Sequence, residues 1–310
     1  MSSGIKVKAP ATISNLACGF DVLGAAIHLT ADELIGRLVQ KPGVHINRIY
    51  GVKKALPTNP NENTAGVAIQ SFLRFLRADR VGIELDIYKK LPIGTGLGSS
   101  ASSAAAGVML ANELLKRPLT KRELVPFSIL GELAADGALH GDNVIPSLIG
   151  GVVFIRDIRS LSFKRVYHPP GLFVSIVFPQ VKVLTREARG ILSNHVPMKN
   201  FIKQTGNLGG LLLGLQSGDF EMIKCSLQDA IIEPQRAHLI PHFYEVQTAA
   251  HEAGALGCSI SGSGPTIFAF SDELQKAEII AQKMRKIYDL NKIECISHVS
   301  TINEQGTVLC

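Results

Sequence analysis

The 310-residue sequence contains no run of eighteen apolar residues, which excludes a conventional membrane-spanning helix. Charge is sparse: Asp, Glu, Lys and Arg make up 19% against 46% apolar types, so a sizeable core is expected and long disordered tails are not. The five cysteines, at 18, 225, 258, 295 and 310, are odd in number and none are closely paired. That spacing opposes a disulfide framework or a zinc site and leaves reduced thiols. There is no internal repeat and no low-complexity segment. The opening stretch MSSGIKVKAPATISN lacks the basic-then-apolar plan of a signal peptide. These absences lead to the expectation of a cytoplasmic protein of one large domain or two ordinary ones, with no membrane partner.

The formal charge is +6. Its basic pairs, at 53–54, 89–90, 116–117 and 121–122, are scattered and not interleaved with aromatics, so no nucleic-acid groove is expected. A mild basic excess also suits a protein that handles small anions.

Strands and helices alternate along both halves. Residues 5–9 read as a short strand, and VGIELDIY (81–88) alternates apolar and polar residues as a half-buried strand does. A helix is expected from Ser99 to about Leu115. Another should lie over 120–139, on both sides of Pro126, with Thr120 and Glu123 forming a capping box. GGVVFIRDI and LFVSIVFP read as strands, and Thr185 as the cap of a short helix. Longer helices are expected over 204–216, 218–231, 241–253 and 272–288. CSISGSGPTIFAF reads as two strands around a glycine turn, and ECISHVS as a last strand. The expected architecture is α+β, two layers in each of two domains, divided near 155–165 without a Pro/Ser linker.

LPIGTGLGSSASSAAAGVMLANELL (91–115) places three glycines directly before serines and a strong helix former. Glycine permits positive φ and close approach to a ligand. Successive amides in such a turn make a nest of N–H donors, and the following helix adds its free N–H groups and dipole. Strand, glycine turn and helix in this order favour a phosphate cradle over a turn that merely packs a small-residue helix on a sheet. No Gly-Lys-Ser/Thr ends it, so it is not a Walker loop, and its glycine spacing is not the dinucleotide fingerprint. For the second glycine turn, spacing alone leaves a strained hairpin and a ligand contact both open.

Three blocks in order, APATISNLACGFDVLGAA (9–26), PIGTGLGSSASS (92–103) and SISGSGPTIFAF (259–270), resemble the GHMP small-molecule kinases. LHGDNVIPSLIGG (139–151), VLTREAR (183–189) and EPQR (233–236) resemble the homoserine branch of that family. The resemblance implies a domain like ribosomal protein S5 domain 2 over 1–158 and a ferredoxin-like domain over 159–310, with the active site between them. It implies ATP and Mg²⁺ as cofactors, phosphorylation of the L-homoserine hydroxyl on the way to threonine, and a homodimer.

Residue by residue, the resemblance places the nucleotide against Pro92, Ile93, Gly94, Thr95, Gly96, Leu97, Gly98, Ser99, Ser100, Ala101 and Ser102. The amides of Gly94 to Ser100 would cradle its phosphates. Ser100 and Glu132 would hold Mg²⁺, although an isolated Glu132 reads more simply as a surface helix charge and only the resemblance reverses that. Asn63 would meet the adenine and could also serve as a helix N-cap. Lys89 is a candidate nucleotide contact, yet Lys89 and Lys90 each read more simply as a solvated strand end.

For the substrate, Arg189 and Arg236 match carboxylate-binding arginines, a role suited to the planar guanidinium fork. Asn15, Asp21, His140 and Asp142 match positions around the ammonium and hydroxyl, and Thr185 and Gly262 lie in matching segments. Asp21 sits in an apolar stretch beside Phe20, which calls for a partner.

Asn143 stands where other branches carry an aspartate. A loose phosphoryl-transfer transition state needs little help from a base, so Asn143 is expected to orient the hydroxyl while its proton passes to phosphate or water. Asp142 or His140 as base is the alternative. Rival functions are a kinase for another small alcohol and a non-catalytic nucleotide or amino-acid sensor. His238 and His242 have metal-pair spacing, but Pro241 between them opposes a regular helix.

Overall fold

A computed structural model describes residues 4–52, 56–137 and 139–310, without the side chains of residues 135, 136, 185 and 186. The basic pair at 53–54 falls outside the described residues.

The first sheet has seven strands: β1 (Ile5–Ser14), β2 (Leu23–Val39), β3 (Gly43–Tyr50), β4 (Gly82–Tyr88), β5 (Val152–Asp157), β6 (Ser162–Val166) and β11 (Val308–Leu309). Its main path runs β11-β1-β2-β4-β3, and β5 joins β2 and β6. β1 does not stop before Pro10 as expected. Proline cannot donate to the ladder, and the strand absorbs it by shifting register between Ala9 and Ala11. The division expected at 158/159 is crossed twice, because both β6 and β11 belong to this sheet.

Four helices cover the sheet: α1 (Thr64–Phe75), α2 (Ser99–Leu114), α3 (Lys121–Asp136) and α4 (Val144–Ile149). α3 carries Pro126 within it and starts with the expected capping box between Thr120 and Glu123. α2 is packed between sheet and helices, which explains its small residues. A Cβ on Gly107 would sit 3.0 Å from Ala65, and one on Gly131 of α3 would sit 2.9 Å from Ala104. The core of this half runs through Ile83, Leu85, Leu110, Phe72 and Val153.

The second sheet runs β10 (Cys295–Thr301), β7 (Phe173–Pro179), β9 (Ile267–Ser271), β8 (Gly257–Ile260), with every neighbour antiparallel. Its helices are α5 (Thr185–Gly190), α6 (Met198–Ser217), α7 (Phe220–Ser226), α8 (Glu233–Arg236), α9 (Phe243–Glu252) and α10 (Leu274–Leu290). Strand β7, helices, hairpin β8–β9, α10 and β10 make the ferredoxin-like split β-α-β arrangement.

Three expectations shift here. α6 starts at Met198, six residues before 204, and α7 ends at Ser226. The chain beyond α7 instead folds around Asp229, whose carboxylate accepts the N–H groups of Ile231, Ile232 and Glu233. Leu184, not Thr185, occupies the cap position of α5. His238 and His242 share no helix: the first lies in a 3-10 turn, the second precedes α9 at φ 58°. All five cysteines are free. Among the described residues no helix is long and apolar enough to cross a membrane.

Candidate active site

The end of β1, the glycine turn, α3, α4 and the β8–β9 hairpin meet around a cavity of about 350 Å³. Gly94, Gly96 and Gly98 all have positive φ, at 71°, 81° and 67°. Two of them are also required by close approach. A Cβ on Gly96 would lie 2.3 Å from the Ser261 carbonyl oxygen, and one on Gly98 would lie 2.0 Å from Thr12 Oγ1. A Cβ on Gly94 would meet nothing within 4 Å. The turn's carbonyls are held from outside: Thr266 N donates to Thr95 O (3.1 Å), Ser261 Oγ to Gly96 O (2.6 Å) and Thr12 N to Leu97 O (3.1 Å). Among the described residues, Thr95 N–H closes the turn over residues 92–95, and the N–H groups of Gly94, Gly96, Leu97, Gly98, Ser99 and Ser100 meet no backbone carbonyl. The turn thus fixes its acceptors against protein and leaves most of its donors, at the positive end of α2, without a backbone partner, a geometry that suits an anion.

Not every expected residue of this stretch reaches the cavity. Leu97 and Ala101 are fully buried in the core. Ser102 is buried too, and its Oγ donates to Ala9 O at 3.4 Å. Pro92 has no N–H, and its carbonyl accepts from Thr95 Oγ1 at 3.0 Å. Ile93, Ser99 and Ser100 do line the cavity.

Ser100 Oγ donates to Glu132 Oε1 at 2.7 Å. Glu132 is 3% exposed, so it is not the surface helix charge that an isolated glutamate suggests. A hydroxyl and a carboxylate side by side are hard oxygen ligands of the kind Mg²⁺ accepts alongside water and phosphate. Asn63 lines the cavity and caps α1, with Oδ1 accepting from Ala65 N and Gly66 N while Nδ2 donates to Pro57 O.

Lys89 is not a solvated strand end. It is buried, and its ammonium donates to Asp32, to Ser99 O (2.6 Å) and to Ser103 Oγ (2.8 Å). Burial lowers its pKa, opposed by the Asp32 charge. Lys90 pairs instead with Glu33 at 2.7 Å.

At the other side of the cavity Arg189 donates through both terminal nitrogens to Asp21, at 2.8 and 2.9 Å. This is the partner that the apolar surroundings of Asp21 demanded. Arg236 is 3% exposed and donates to Ala188 O (2.8 Å) and Gly262 O (3.0 Å). Burial, with the Arg189 charge beside it, draws its pKa down to about 10, so it stays cationic at neutral pH. Both guanidiniums lie over the ring of Phe20, at 5.3 and 5.0 Å. Asn15 Nδ2 donates to the same Gly262 carbonyl at 2.9 Å, and its Oδ1 accepts from Asp21 N.

His140 and Asp142 are buried on the cavity wall, with His140 Nδ1 3.4 Å from Asp142 Oδ1. Asn143 Oδ1 accepts from Thr12 Oγ1 at 2.7 Å, and its Nδ2 donates to Ser14 Oγ at 3.0 Å. These two bonds hold the amide group in place at both of its polar atoms. The Thr185 side chain lies outside the described residues. Sequence reasoning did not single out Thr12, Ser14, Asp32, Ser103 or Ser261. Each acts through a partner at least 14 residues away, a distance at which no local pattern signals it.

Comparison with known proteins agrees with this geometry. Residues 63–151 match the GHMP kinases N terminal domain, and 211–290 match the GHMP kinases C terminal domain. A homoserine kinase from Chloroherpeton thalassium is 45% identical, over 90% of this chain and 91% of its own. The chain belongs to the homoserine kinase family of GHMP kinases. A second homoserine kinase of that family, from Chlorobium phaeobacteroides, is 42% identical over 96% of this chain and 97% of its own. The crystal structure of homoserine kinase from Cytophaga hutchinsonii superposes with a TM-score of 0.97, at 44% identity, covering 100% of this chain and 98% of that one.

Proposed function

We propose that this chain transfers the γ-phosphoryl group of MgATP to the side-chain hydroxyl of L-homoserine, giving O-phospho-L-homoserine on the way to threonine. One observation carries the reading. A glycine turn with ligand-ready N–H groups shares one cavity with a charge set matching a zwitterion: Arg189 and Arg236 for a carboxylate, Asp21 for an ammonium. Family membership agrees with it. A sugar or isoprenoid alcohol would have no use for that set together.

The turn's donors would hold the phosphates, with Ser100 and Glu132 ligating Mg²⁺. When bound, the ion would neutralise charge on the transferring phosphate. The two arginines and Asp21 would fix the amino-acid end, leaving the hydroxyl near Asn143. An amide held by Thr12 and Ser14 takes no proton, so Asn143 orients the nucleophile and the proton leaves to phosphate or water. Alignment and charge stabilisation supply the rate.

The test is ADP release with L-homoserine, threonine, serine, mevalonate or galactose. Homoserine-dependent ADP is expected. Turnover with mevalonate or galactose alone would make this another small-alcohol kinase, and no acceptor-dependent ADP at all would make it a sensor.

We further infer a cytoplasmic homodimer. Met198, Ile202 and Leu213 lie on one face of α6 and are 70%, 63% and 67% exposed, an apolar stripe suited to a second copy. Light scattering on Ile202→Glu is expected to report a monomer where the native chain reports a dimer. A native monomer would end that inference.

A further inference from the structure

The glycine turn departs from β4 and returns to α2, and something must set the separation of its two ends. Asp32, on β2, is fully buried, and its Oδ1 accepts both Lys90 N (2.8 Å) and Leu91 N (2.9 Å), where the turn begins. Its Oδ2 accepts from Lys89 Nζ. That ammonium also donates to Ser99 O and Ser103 Oγ in the first two turns of α2, where the glycine turn ends. A direct seam, Ser99 Oγ to Leu91 O at 3.2 Å, closes the same gap. The three Lys89 donors therefore have three protein acceptors, and the Asp32 carboxylate holds one end of the turn while Lys89 holds the other.

We propose that Asp32 and Lys89 are a buried clamp that fixes the two ends of the glycine turn and so positions its N–H groups on the nucleotide. Lys89 acts through the turn and is not a phosphate ligand. This rests on the reading of the turn as the nucleotide cradle. Asp32 carries the larger part of the inference, since Lys89 lines the cavity and Asp32 does not, yet Asp32 holds the start of the turn directly and its far end through Lys89. The buried location accounts for the use of charge: amides inside the protein bind an ionised carboxylate more strongly than a neutral acceptor, and the carboxylate needs a cation beside it.

The experiment compares Asp32→Asn, Lys89→Met, the double variant and Ser103→Ala, by calorimetric binding of a non-hydrolysable ATP analogue with Mg²⁺, binding of L-homoserine alone, and melting temperature. Each single charge variant leaves a buried charge without its counter-ion and should melt lower, and the double variant should recover part of that loss. Nucleotide affinity should fall about tenfold in Asp32→Asn and in Lys89→Met alike, and no further in the double variant, because both remove one device. Ser103→Ala, which removes one tie and no charge, should weaken the analogue about threefold. Homoserine affinity without nucleotide should stay within about twofold of native throughout.

Three results would overturn the clamp. One is Asp32→Asn binding nucleotide as the native chain does while Lys89→Met does not, which makes Lys89 a direct ligand. Another is a double variant with native nucleotide affinity, which makes the pair structural only. The third is unchanged binding in Ser103→Ala. If the native chain itself fails to bind the analogue, the cradle reading fails first and takes the clamp with it.

Discussion

Arg189 offers its full fork to Asp21, with Nη1 at 2.8 Å from Oδ2 and Nη2 at 2.9 Å from Oδ1. The carboxylate of Asp21 thus occupies the geometry in which an arginine holds a substrate carboxylate. In the proposed reaction homoserine supplies both halves of that pair, its carboxylate for Arg189 and its ammonium for Asp21. Asp21→Asn should therefore raise the KM for homoserine by about tenfold or more and leave the KM for ATP within about threefold. Steady-state kinetics with each substrate varied in turn checks it. Because the pair is about one-third exposed, its loss should change stability by no more than about 1 kcal/mol.

Asn143 is held at both polar atoms, so its removal frees Thr12 and Ser14 as well as the nucleophile's guide. Asn143→Ala should lower kcat about 100-fold with a smaller change in either KM. Full activity would remove Asn143 from the mechanism. Asp142→Asn addresses the other candidate: if Asp142 is the base, its loss should cost about as much as Asn143→Ala or more.

Glu132 stands against Ser100 on the cavity wall. Glu132→Gln keeps the size and the acceptor for Ser100 but removes the charge. The concentration of MgCl₂ needed for half-maximal activity should rise about tenfold, and high Mg²⁺ should restore part of the rate. A native Mg²⁺ dependence would dissociate Glu132 from the metal.

Glu233 opens the short helix that carries Arg236 and accepts from Ser259 Oγ and from Gln247 Nε2. Burial pushes its carboxyl up from 4.5 to about 7. The folded chain then binds a proton there that the unfolded chain has released. Stability from this site is greatest below about 4.5 and declines as pH rises to about 7, by on the order of 3 kcal/mol at most. Glu233→Gln has no charge to bury, so its stability relative to the native chain should improve steadily between pH 5 and pH 7.5. Urea unfolding across that range reads the difference, and a pH-independent difference would contradict the assignment.

The parts of this site that were legible in the sequence are those with a local cause. Glycines before a small-residue helix announce the turn and α2, Thr120 and Glu123 announce the start of α3, and Asp21 beside Phe20 announces a need for a partner. What stayed hidden depends on pairing at long range. The identity of that partner, Arg189, lies 168 residues on. Lys89 looked solvated because its counter-ion Asp32 is 57 residues earlier, on a strand. That strand, β2, was itself unread. It pairs with β5 at one end, β1 along its length and β4 at the other, so no single alternation of apolar and polar residues runs through its 17 residues. β11 has only two residues and is defined by β1 alone.

The most direct measurement is a crystal structure with a non-hydrolysable ATP analogue, Mg²⁺ and L-homoserine. The expected result is a polyphosphate bonded by the N–H groups between Gly94 and Ser100, with the homoserine carboxylate on Arg189 and Arg236 and its hydroxyl facing the terminal phosphate beside Asn143. Nucleotide bound away from that turn, or homoserine absent from the arginines, would contradict the account.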